Sequence, residues 1–313
     1  MAAPTVVVVN PRSRNGATGR RWERVEAALR EHWAELEIER TRGPRDAERI
    51  AREAAQAGAE RILIAGGDGT ASEVVAGLLG ADLAERVSLG FLPLGTGGDW
   101  GRTLGTPRDL RRALCVLAAG RERRLDAGGL RYHTPGGEER RSHFLNVASA
   151  GLSGFVDRLV NQAPKALGGR ASFLIGTLRG LARWRDVACT VRVDGATVHE
   201  GPVVLATAAN GRYFGGGMQV APRAQPDDGL LDVTVIQGAP KSRLLRRMPQ
   251  LYRGTHLELP EVHAFQGRRV EVEPEEPWFL DVDGEFFAAC GACFECLPGA
   301  LRVIVAEEER EAR

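Results

Sequence analysis

Apolar strands and amphipathic helices alternate through the first part of the chain, and this alternation limits the fold more than any other feature. Val6–Val9 is a continuous β-branched run of the kind that is buried on both faces of a sheet. Arg61–Ala65 and Leu89–Leu92 are further buried strands, and helical spacing of apolar residues follows each of the three. Repeated strand–helix units form parallel sheets with helices on both faces. We therefore predict a doubly wound, mostly parallel α/β domain over residues 1–125.

The pattern changes near Asp126. From there on, short strands separated by glycine-rich turns dominate, apart from two helical segments at 152–163 and 171–184. Strands of this kind are typical of antiparallel sandwiches. The chain of 313 residues is long enough for two domains. We predict an antiparallel β-sandwich domain over residues 126–313, joined to the first domain without a long linker.

Composition excludes several classes of protein. The net charge of +1 gives no global basic field, so we do not expect nucleic acid as a partner. Five cysteines are an odd number for a disulfide framework. The N-terminus has no basic region before its apolar run, and no stretch approaches the roughly 18 apolar residues of a membrane span. These features predict a cytoplasmic protein without a transmembrane segment.

Three glycine-containing loops carry the chemistry that the sequence suggests. Gly66-Gly67-Asp68-Gly69-Thr70 lies between a strand and a helix, where glycines let backbone amides approach a polyphosphate and the helix N-terminus favours anions. An aspartate in such a cradle repels phosphate unless a cation or a hydroxyl lies between them, which favours a Mg²⁺-linked site. The alternative is a tight turn in which Asp68 caps its helix.

The other two loops follow neighbouring strands. Pro93–Asp99 repeats the glycine, threonine and aspartate pattern after the strand Leu89–Leu92. Asn10–Gly16 follows the first strand and contains two arginines, which suit phosphate. Lysines occur only at positions 165 and 241, so a P-loop lysine is excluded from the first domain. In open α/β sheets, ligands bind beyond the carboxyl ends of strands, so these loops predict one shared site.

These loops together resemble the diacylglycerol kinase catalytic-domain family, which includes bacterial lipid kinases and sphingosine and ceramide kinases. The resemblance covers nearly the whole chain. Beyond the three loops it takes in Glu73, Arg102–Gly105, Gly151, Asp157, Gly215–Gly217, Pro222, Asp227-Asp228-Gly229 and Asp283-Gly284-Glu285. Several motifs in the right order are far more specific than any one of them.

The resemblance implies an ATP- and Mg²⁺-dependent lipid kinase with a nucleotide site in the first domain and a lipid-binding sandwich. It assigns nucleotide contacts to Asn10, Pro11, Arg12, Ser13, Arg14, Thr41, Gly66, Gly67, Asp68, Gly69, Thr70, Ala71, Ser72 and Thr96. It implies a Mg²⁺ site at Asp228 with main-chain oxygens near Gln225 and Leu230, a ligand set that suits a hard cation. Glu285 is implied as the general base, and Asp68 and Asp99 as residues that position a metal or the acceptor hydroxyl.

The expected acceptor is diacylglycerol, met at the inner surface of a membrane by a peripherally bound protein. A second copy of the chain, forming a homodimer, is the other partner considered. The chain departs from the family at Gly98, where an asparagine is usual, so a non-catalytic nucleotide- or lipid-binding regulator stays open as an alternative. A sphingoid-base kinase and an NAD kinase are the enzyme alternatives.

The spacing of Cys290, Cys293 and Cys296 resembles a metal-binding run. A tetrahedral site needs four ligands, however, so packed thiols are favoured.

Overall fold

The structure, a computed structural model, describes residues 4–95, 98–161 and 169–306, with the side chains of residues 160–161 and 169–174 left aside. The chain divides into two compact units. The first contains the residues up to Leu125 and those from Gly299 onward, and the second is Asp126–Pro298.

The first unit is built on a parallel sheet in the strand order β4-β3-β1-β2. Its strands are β1 Thr5–Val9, β2 Glu37–Arg40, β3 Arg61–Gly66 and β4 Ser88–Pro93. All the pairs are parallel, and Val7 lies beside Ile38 on one side and Leu63 on the other. The chain thus leaves β1 toward one edge, forms β2, and returns to the other side to form β3. The carboxyl ends of β1 and β3 flank this change of direction, which is the usual place for a ligand in an open α/β sheet.

Helices cover both faces of this sheet, which confirms the predicted doubly wound domain. They are α1 Ala17–Arg20, α2 Trp22–Arg30, α3 Asp46–Gln56, α4 Asp68–Leu79, α5 Asp99–Thr103 and α6 Leu110–Ala119. On one face, Leu29 of α2 and Leu114 of α6 pack with Val7 and Leu63. On the other, α3 and α4 pack so closely that a Cβ on Gly77 would lie 2.3 Å from the Glu48 carbonyl oxygen. This contact explains a glycine inside a helix, which costs about 1 kcal/mol elsewhere.

The second unit is antiparallel, as predicted for a sandwich-like domain. Its strands are β5 Glu122–His133, β6 Glu139–Phe144, β7 Val147–Gly151, β8 Val187–Val193, β9 Ala196–Ala209, β10 Leu231–Gln237, β11 Val262–Gly267, β12 Arg269–Pro274, β13 Trp278–Val282, β14 Glu285–Ala289 and β15 Ala292–Ile304. Strands β13, β7, β9, β10 and β11 are neighbours in that order. Phe144, Trp278 and Phe294 are almost fully buried in the core between strands.

The last strand departs from the predicted boundary of the second domain. β15 begins in the second unit and ends in the first, where Arg302 and Val303 lie parallel to Ser88 and Leu89 of β4. Leu301 and Val303 are fully buried there. The predicted domain 126–313 therefore differs from the observed division, because a short apolar strand near the C-terminus completes the first sheet.

Three helices accompany the second unit: α7 Leu152–Asn161, α8 Gly169–Arg183 and α9 Lys241–Arg253. The first two lie where helical segments were predicted. The third was missed, because Pro249 and five cationic residues hide the helical spacing of Leu244, Met248 and Leu251. Among the described residues, no helix is long and apolar enough to cross a membrane.

Candidate functional site

The helix after β3 begins inside the predicted glycine loop. β3 ends at Gly66 and α4 starts at Asp68, so only Gly67 separates them, in an extended conformation and without a side-chain cap. Asp68 therefore does not cap its own helix. Its carboxylate instead accepts hydrogen bonds from the backbone amides of Asp99 (3.1 Å) and Trp100 (3.2 Å), the first two residues of α5. Asp68 thus holds the loop after β4 against the loop after β3.

Glycines are needed where these two loops touch. A Cβ on Gly95 would lie 2.6 Å from the Cα of Gly67, and one on Gly66 would lie 2.5 Å from the Thr70 side chain. Distances below about 3 Å are not found for real Cβ atoms. The glycine pattern therefore follows from the close approach of two backbones at the edge of the sheet.

The loop after β1 joins the same place. The Asn10 side-chain amide donates to the Thr70 hydroxyl (3.0 Å), and the Asn10 backbone amide donates to the Ala65 carbonyl (2.9 Å). The hydroxyl group of Thr18, in α1, donates a hydrogen bond to the Leu94 carbonyl (3.2 Å). The loops after β1, β3 and β4 are thus connected to one another by side chains.

The other predicted nucleotide residues lie on these loops or beside them. Arg12 and Arg14 are exposed, and Pro11 and Ser13 lie between them on the β1 loop. Thr41 directly follows β2, and its backbone amide donates to the Val9 carbonyl (2.8 Å). Gly69, Ala71 and Ser72 belong to the first turns of α4. Thr96 lies outside the described residues.

Gly98 and Asp99 start α5. Gly98 has φ 64°, in the left-handed region that glycine and asparagine adopt most readily, and a Cβ there would meet open space. The backbone at this position therefore suits the asparagine that is usual in the family, and the departure concerns only the lost side-chain amide. Asp99 is buried and forms an ion pair with Arg102 (2.5 Å), one turn along the same helix.

Glu285 lies in the second unit, on an exposed hairpin that other carboxylates hold in place. Asp283 and Gly284 form the two-residue turn between β13 and β14, and both have positive φ, which is typical of a type I′ turn. Asp283 accepts hydrogen bonds from the backbone amides of Leu145 (2.7 Å), Asn146 (3.0 Å) and Val147 (2.9 Å). The exposed Glu285 is therefore presented by a rigid turn.

A buried pair of carboxyl groups supports this hairpin from below. Asp281 accepts a hydrogen bond from the Gly284 amide (2.8 Å), and its side chain is hydrogen-bonded to Asp157 of α7. Burial, followed by the neighbouring charge of Asp157, raises the pKa of Asp281 well above its ordinary value. Burial also raises the pKa of Asp157 to about 6. Burial thus favours the protonated form of both carboxyl groups, and sequence reasoning gave neither residue a role.

This pair predicts that stability depends on pH. A carboxyl whose pKa is raised by folding stabilises the protein below its unfolded pKa of about 4, and that contribution disappears as pH rises through the folded value. We expect the free energy of unfolding to fall by on the order of 3 kcal/mol as pH rises from 4 to above 6. Asp157→Asn cannot ionise and should lack this part of the decrease. Denaturant unfolding of both proteins across this range tests it, and parallel profiles would contradict a raised pKa of Asp157.

The predicted Mg²⁺ residues lie on a turn before β10. Asp228 is exposed, and its carboxylate accepts a hydrogen bond from the Leu230 backbone amide (3.0 Å). The carboxylate of Asp126 accepts one from the Gly229 amide (2.7 Å). Burial, together with the neighbouring charge of Asp228, raises the pKa of Asp232 to about 6. The exposed carboxylate of Asp228 and the further negative charge nearby fit a hard cation, which prefers oxygen ligands, and Gln225 and Leu230 flank the same turn.

The cysteine run does not form a metal site in the described part of the chain, where no three His, Cys, Asp or Glu side chains are placed to hold an ion. Cys290 is exposed, whereas Cys293 and Cys296 are partly buried. Burial raises the pKa of Cys296 to about 12, so its thiol stays protonated. Thiol packing accounts for Cys296, which lies against the core of the second unit.

An open apolar cavity of about 100 Å³ lies within the second unit. Its floor crosses the sheet: Leu205 of β9 pairs with Ile236 of β10, and Ile236 pairs with Val262 of β11. Two strand spacings make this row roughly 10 Å long. Side chains from α7, α8 and α9 form the other wall: Leu152, Ser153, Val156, Thr177, Leu181, Leu244, Met248 and Leu251. Sequence reasoning did not identify this lining.

The cavity wall is connected to the Glu285 hairpin. The hydroxyl of Ser153 lies 2.7 Å from that of Ser149, which in turn lies 3.5 Å from an Asp281 carboxylate oxygen. All three side chains are buried. Because Asp281 also bonds Gly284, a short polar path leads from the apolar cavity to the turn that presents Glu285.

Two family descriptions match the chain, one for each half. Residues 4–130 match the diacylglycerol kinase catalytic domain, and residues 146–305 match the YegS C-terminal NAD kinase beta sandwich-like domain. A solved structure from Bacillus anthracis, assigned as a diacylglycerol kinase, has a TM-score of 0.79 at 26% identity and covers 97% of this chain and 95% of its own. Yeast NADH kinase shares the fold at 11% identity, with a TM-score of 0.59, over 98% of this chain and 84% of its own.

Curated relatives agree with these matches. The chain is 31% identical over 261 residues to a diacylglycerol kinase of Mycobacterium tuberculosis, covering 83% of this chain and 81% of the relative. It is 36% identical over 274 residues to a probable lipid kinase of the YegS-like type from Chromohalobacter salexigens, covering 82% and 79%. With these matches over both units, the chain belongs to the diacylglycerol kinase family of lipid kinases, with a catalytic domain followed by a YegS-type C-terminal domain.

Proposed function

We propose that this lipid kinase transfers the γ-phosphoryl group of ATP to a hydroxyl of diacylglycerol and requires Mg²⁺. The observation that carries the proposal is that side chains connect the loops after β1, β3 and β4, beside the point where the strand order reverses. Asp68 connects the loops after β3 and β4, and Asn10 connects the loop after β1 to Thr70. Glycine backbone, the N-terminus of α4 and two arginines therefore lie at the carboxyl ends of the strands.

The loops suit the phosphates of a nucleotide. The N-terminal amides of α4 have partial positive charge, and Gly67 lets the backbone approach an anion closely. Arg12 and Arg14 are exposed on the neighbouring loop and are able to form charge-assisted hydrogen bonds. In phosphoryl transfer, positioning and electrostatic stabilisation supply almost all of the catalysis. Asp68 and Asp99 are then suited to positioning rather than to direct phosphate contact.

The cavity of the second unit suits the acyl part of the acceptor. Its walls are apolar apart from a few side chains, as is usual for pockets that bind apolar ligands. Relatives at 31% identity are named diacylglycerol kinase, which favours an uncharged diacylated glycerol as the acceptor. The path through Ser153 and Ser149 to Asp281 leads from this cavity toward the hairpin that presents Glu285.

Glu285 is the proposed general base. Its carboxylate accepts the proton of the lipid hydroxyl while the oxygen bonds to the γ-phosphorus and the bond to the leaving ADP oxygen breaks. Asp283 keeps the turn fixed through its three backbone hydrogen bonds, so the carboxylate of Glu285 needs little reorganisation. Asp228, with the main-chain oxygens of Gln225 and Leu230, would hold Mg²⁺, which would supply positive charge to an otherwise acidic turn.

A transfer assay tests the proposed function. The purified protein is incubated with γ-radiolabelled ATP and, in separate reactions, diacylglycerol, sphingosine, ceramide or NAD, each in detergent micelles with and without Mg²⁺. We expect labelled phosphatidic acid only with diacylglycerol and Mg²⁺. Label on sphingosine or NAD would replace the proposed acceptor. Nucleotide binding without transfer to any acceptor would instead indicate a regulator, the alternative that the missing side chain at Gly98 favours.

Asp228→Asn tests the proposed Mg²⁺ site. The amide keeps the size of the side chain and can still accept the hydrogen bond from Leu230, but it loses the charge that attracts a cation. We expect the variant to need roughly tenfold or more Mg²⁺ for half-maximal transfer, because one charge interaction of about 1.4 kcal/mol corresponds to a factor of ten. Asp227→Asn, on the same turn, is the matched control. Superimposable Mg²⁺ titrations of wild type and Asp228→Asn would reduce Asp228 to a turn residue.

A further inference from the structure

Helix α9 separates its side chains into an apolar inner face and a basic outer face. Its 13 residues include no acidic side chain. They include five cationic ones, Lys241, Arg243, Arg246, Arg247 and Arg253. The whole chain has a net charge of only +1, so this helix is a local concentration of positive charge. None of its residues is buried.

The outer face of α9 also presents apolar groups to solvent. Leu245 is 47% exposed and Tyr252 is 41% exposed. They lie seven residues apart, about two helical turns, and therefore on one face. Arg246 and Arg253 each follow one of them directly. Leu178 of the neighbouring helix α8 is 40% exposed, so three of the four large exposed apolar side chains in the described residues belong to α8 and α9.

The inner face of α9 covers the apolar cavity. Leu244, Met248 and Leu251 all line it. Polar contacts hold the helix to the rest of the unit. Its first residue, Lys241, donates to the Ala182 carbonyl (2.9 Å), and Arg247 lies 4.0 Å from the Glu261 carboxylate. The Leu251 carbonyl accepts a hydrogen bond from the Gln219 amide (2.8 Å).

We propose that the outer face of α9, with Leu178 of α8, docks on a lipid bilayer that contains anionic lipids. The inference rests on the proposed function in one respect, because it gives the cavity beneath α9 a source of lipid. Arginines beside exposed Leu and Tyr side chains are typical of helices that lie in the plane of a membrane interface. The apolar groups enter the interface while the cations meet lipid phosphates. An acidic protein would match the charge but gives no reason for the cavity directly under the helix.

Vesicle binding without nucleotide tests this surface. Wild-type protein is sedimented with vesicles of phosphatidylcholine alone and with vesicles containing one-third phosphatidylglycerol, at low and at high salt. We expect binding only to the anionic vesicles and weakening by salt, because surface charges are screened. The double variant Arg246→Glu/Arg253→Glu should bind at least about 30-fold more weakly, since each cation near the surface contributes about a factor of five.

A charge-matched control uses the helix α6. Arg111→Glu/Arg112→Glu makes the same change in charge at two exposed positions of the first unit. It should bind vesicles as wild type does. Leu245→Asp should also weaken binding, whereas an effect of total charge alone would make it lose less binding than Arg111→Glu/Arg112→Glu. Equal binding by wild type and the α9 variants, equal loss in both double variants, or no binding by wild type would each overturn the proposal.

The result of the vesicle-binding test can be distinguished from the result of the transfer assay that tests the proposed function. Vesicle sedimentation requires neither ATP nor transfer, so a protein without kinase activity still gives a valid result. Conversely, in detergent micelles the α9 variants should phosphorylate the lipid at near wild-type rates, because none of the three substituted residues belongs to the proposed catalytic groups or lines the cavity. Capture by an acidic protein without vesicle binding would count against docking on a bilayer.

Discussion

Glu285→Gln is expected to lower turnover by roughly 10²- to 10⁴-fold, the usual contribution of a positioned general base. Glutamine keeps the size and hydrogen-bonding reach of the side chain but does not accept the hydroxyl proton. Glu285 is exposed at the start of β14, so the substitution should change the free energy of unfolding by less than about 0.5 kcal/mol. ATP affinity should stay close to wild type, since the proposed nucleotide contacts are in the first unit. Steady-state transfer and equilibrium ATP binding on one folded variant give both quantities.

A second exposed glutamate provides the control for this experiment. Glu276 lies just before β13, on a different turn of the same unit, and Glu276→Gln makes an identical chemical change. It should leave turnover unaltered. Wild-type turnover in Glu285→Gln would remove the residue from the mechanism, and loss of ATP binding would assign it a structural role. A loss at the lower end of the range indicates a loose transition state, in which the proton leaves late.

Asp68→Ala is expected to abolish transfer while the protein stays folded. The carboxylate holds the first amides of α5, and removing such a cap costs about 1 kcal/mol and up to about 2 kcal/mol. That loss is small compared with the stability of a typical domain. The loops after β3 and β4 would nevertheless lose the contact that holds them together, and a displacement of 1 Å in a catalytic arrangement can cost about 10² in rate. Transfer assays and denaturant unfolding measure the two effects.

Asp109 supplies a matched control within the same unit. Its side chain caps α6 by accepting from the Arg112 amide (3.0 Å), so Asp109→Ala also removes an aspartate cap from a helix start. The two variants should lose similar stability, but only Asp68→Ala should lose activity. Full activity in a folded Asp68→Ala protein would mean that Asp68 is only a cap of α5.

Sequence patterns predicted the first unit well because its information is local. Each buried strand is a short β-branched or apolar run, and each is followed by a glycine loop and a helix. The strand order was not local information, yet the rule that ligands lie beyond carboxyl ends correctly placed the loops after β1, β3 and β4 together. The start of α4 was predicted less accurately. The glycines suggested a loop as far as Thr70, whereas the helix begins at Asp68.

The features that sequence reasoning missed depend on long-range contacts. Asp157 and Asp281 are far apart in the chain, and nothing in either neighbourhood reveals that folding buries their carboxyl groups together. The cavity has the same origin, since its floor comes from three strands and its other wall from three helices. α9 could have been found from the spacing of Leu244, Met248 and Leu251, had Pro249 not argued against a helix.

The position of β15 beside β4 has a consequence for synthesis on the ribosome. The first unit is the first to emerge, yet one strand of its sheet is made after the entire second unit. Until that strand arrives, β4 is an edge with unpaired backbone groups, which is a template for incorrect strand pairing. A nascent chain therefore completes its first unit last. A fragment cut after Leu125 would keep the glycine loops but lack a strand of the sheet that positions them, so the first unit is not a separable module.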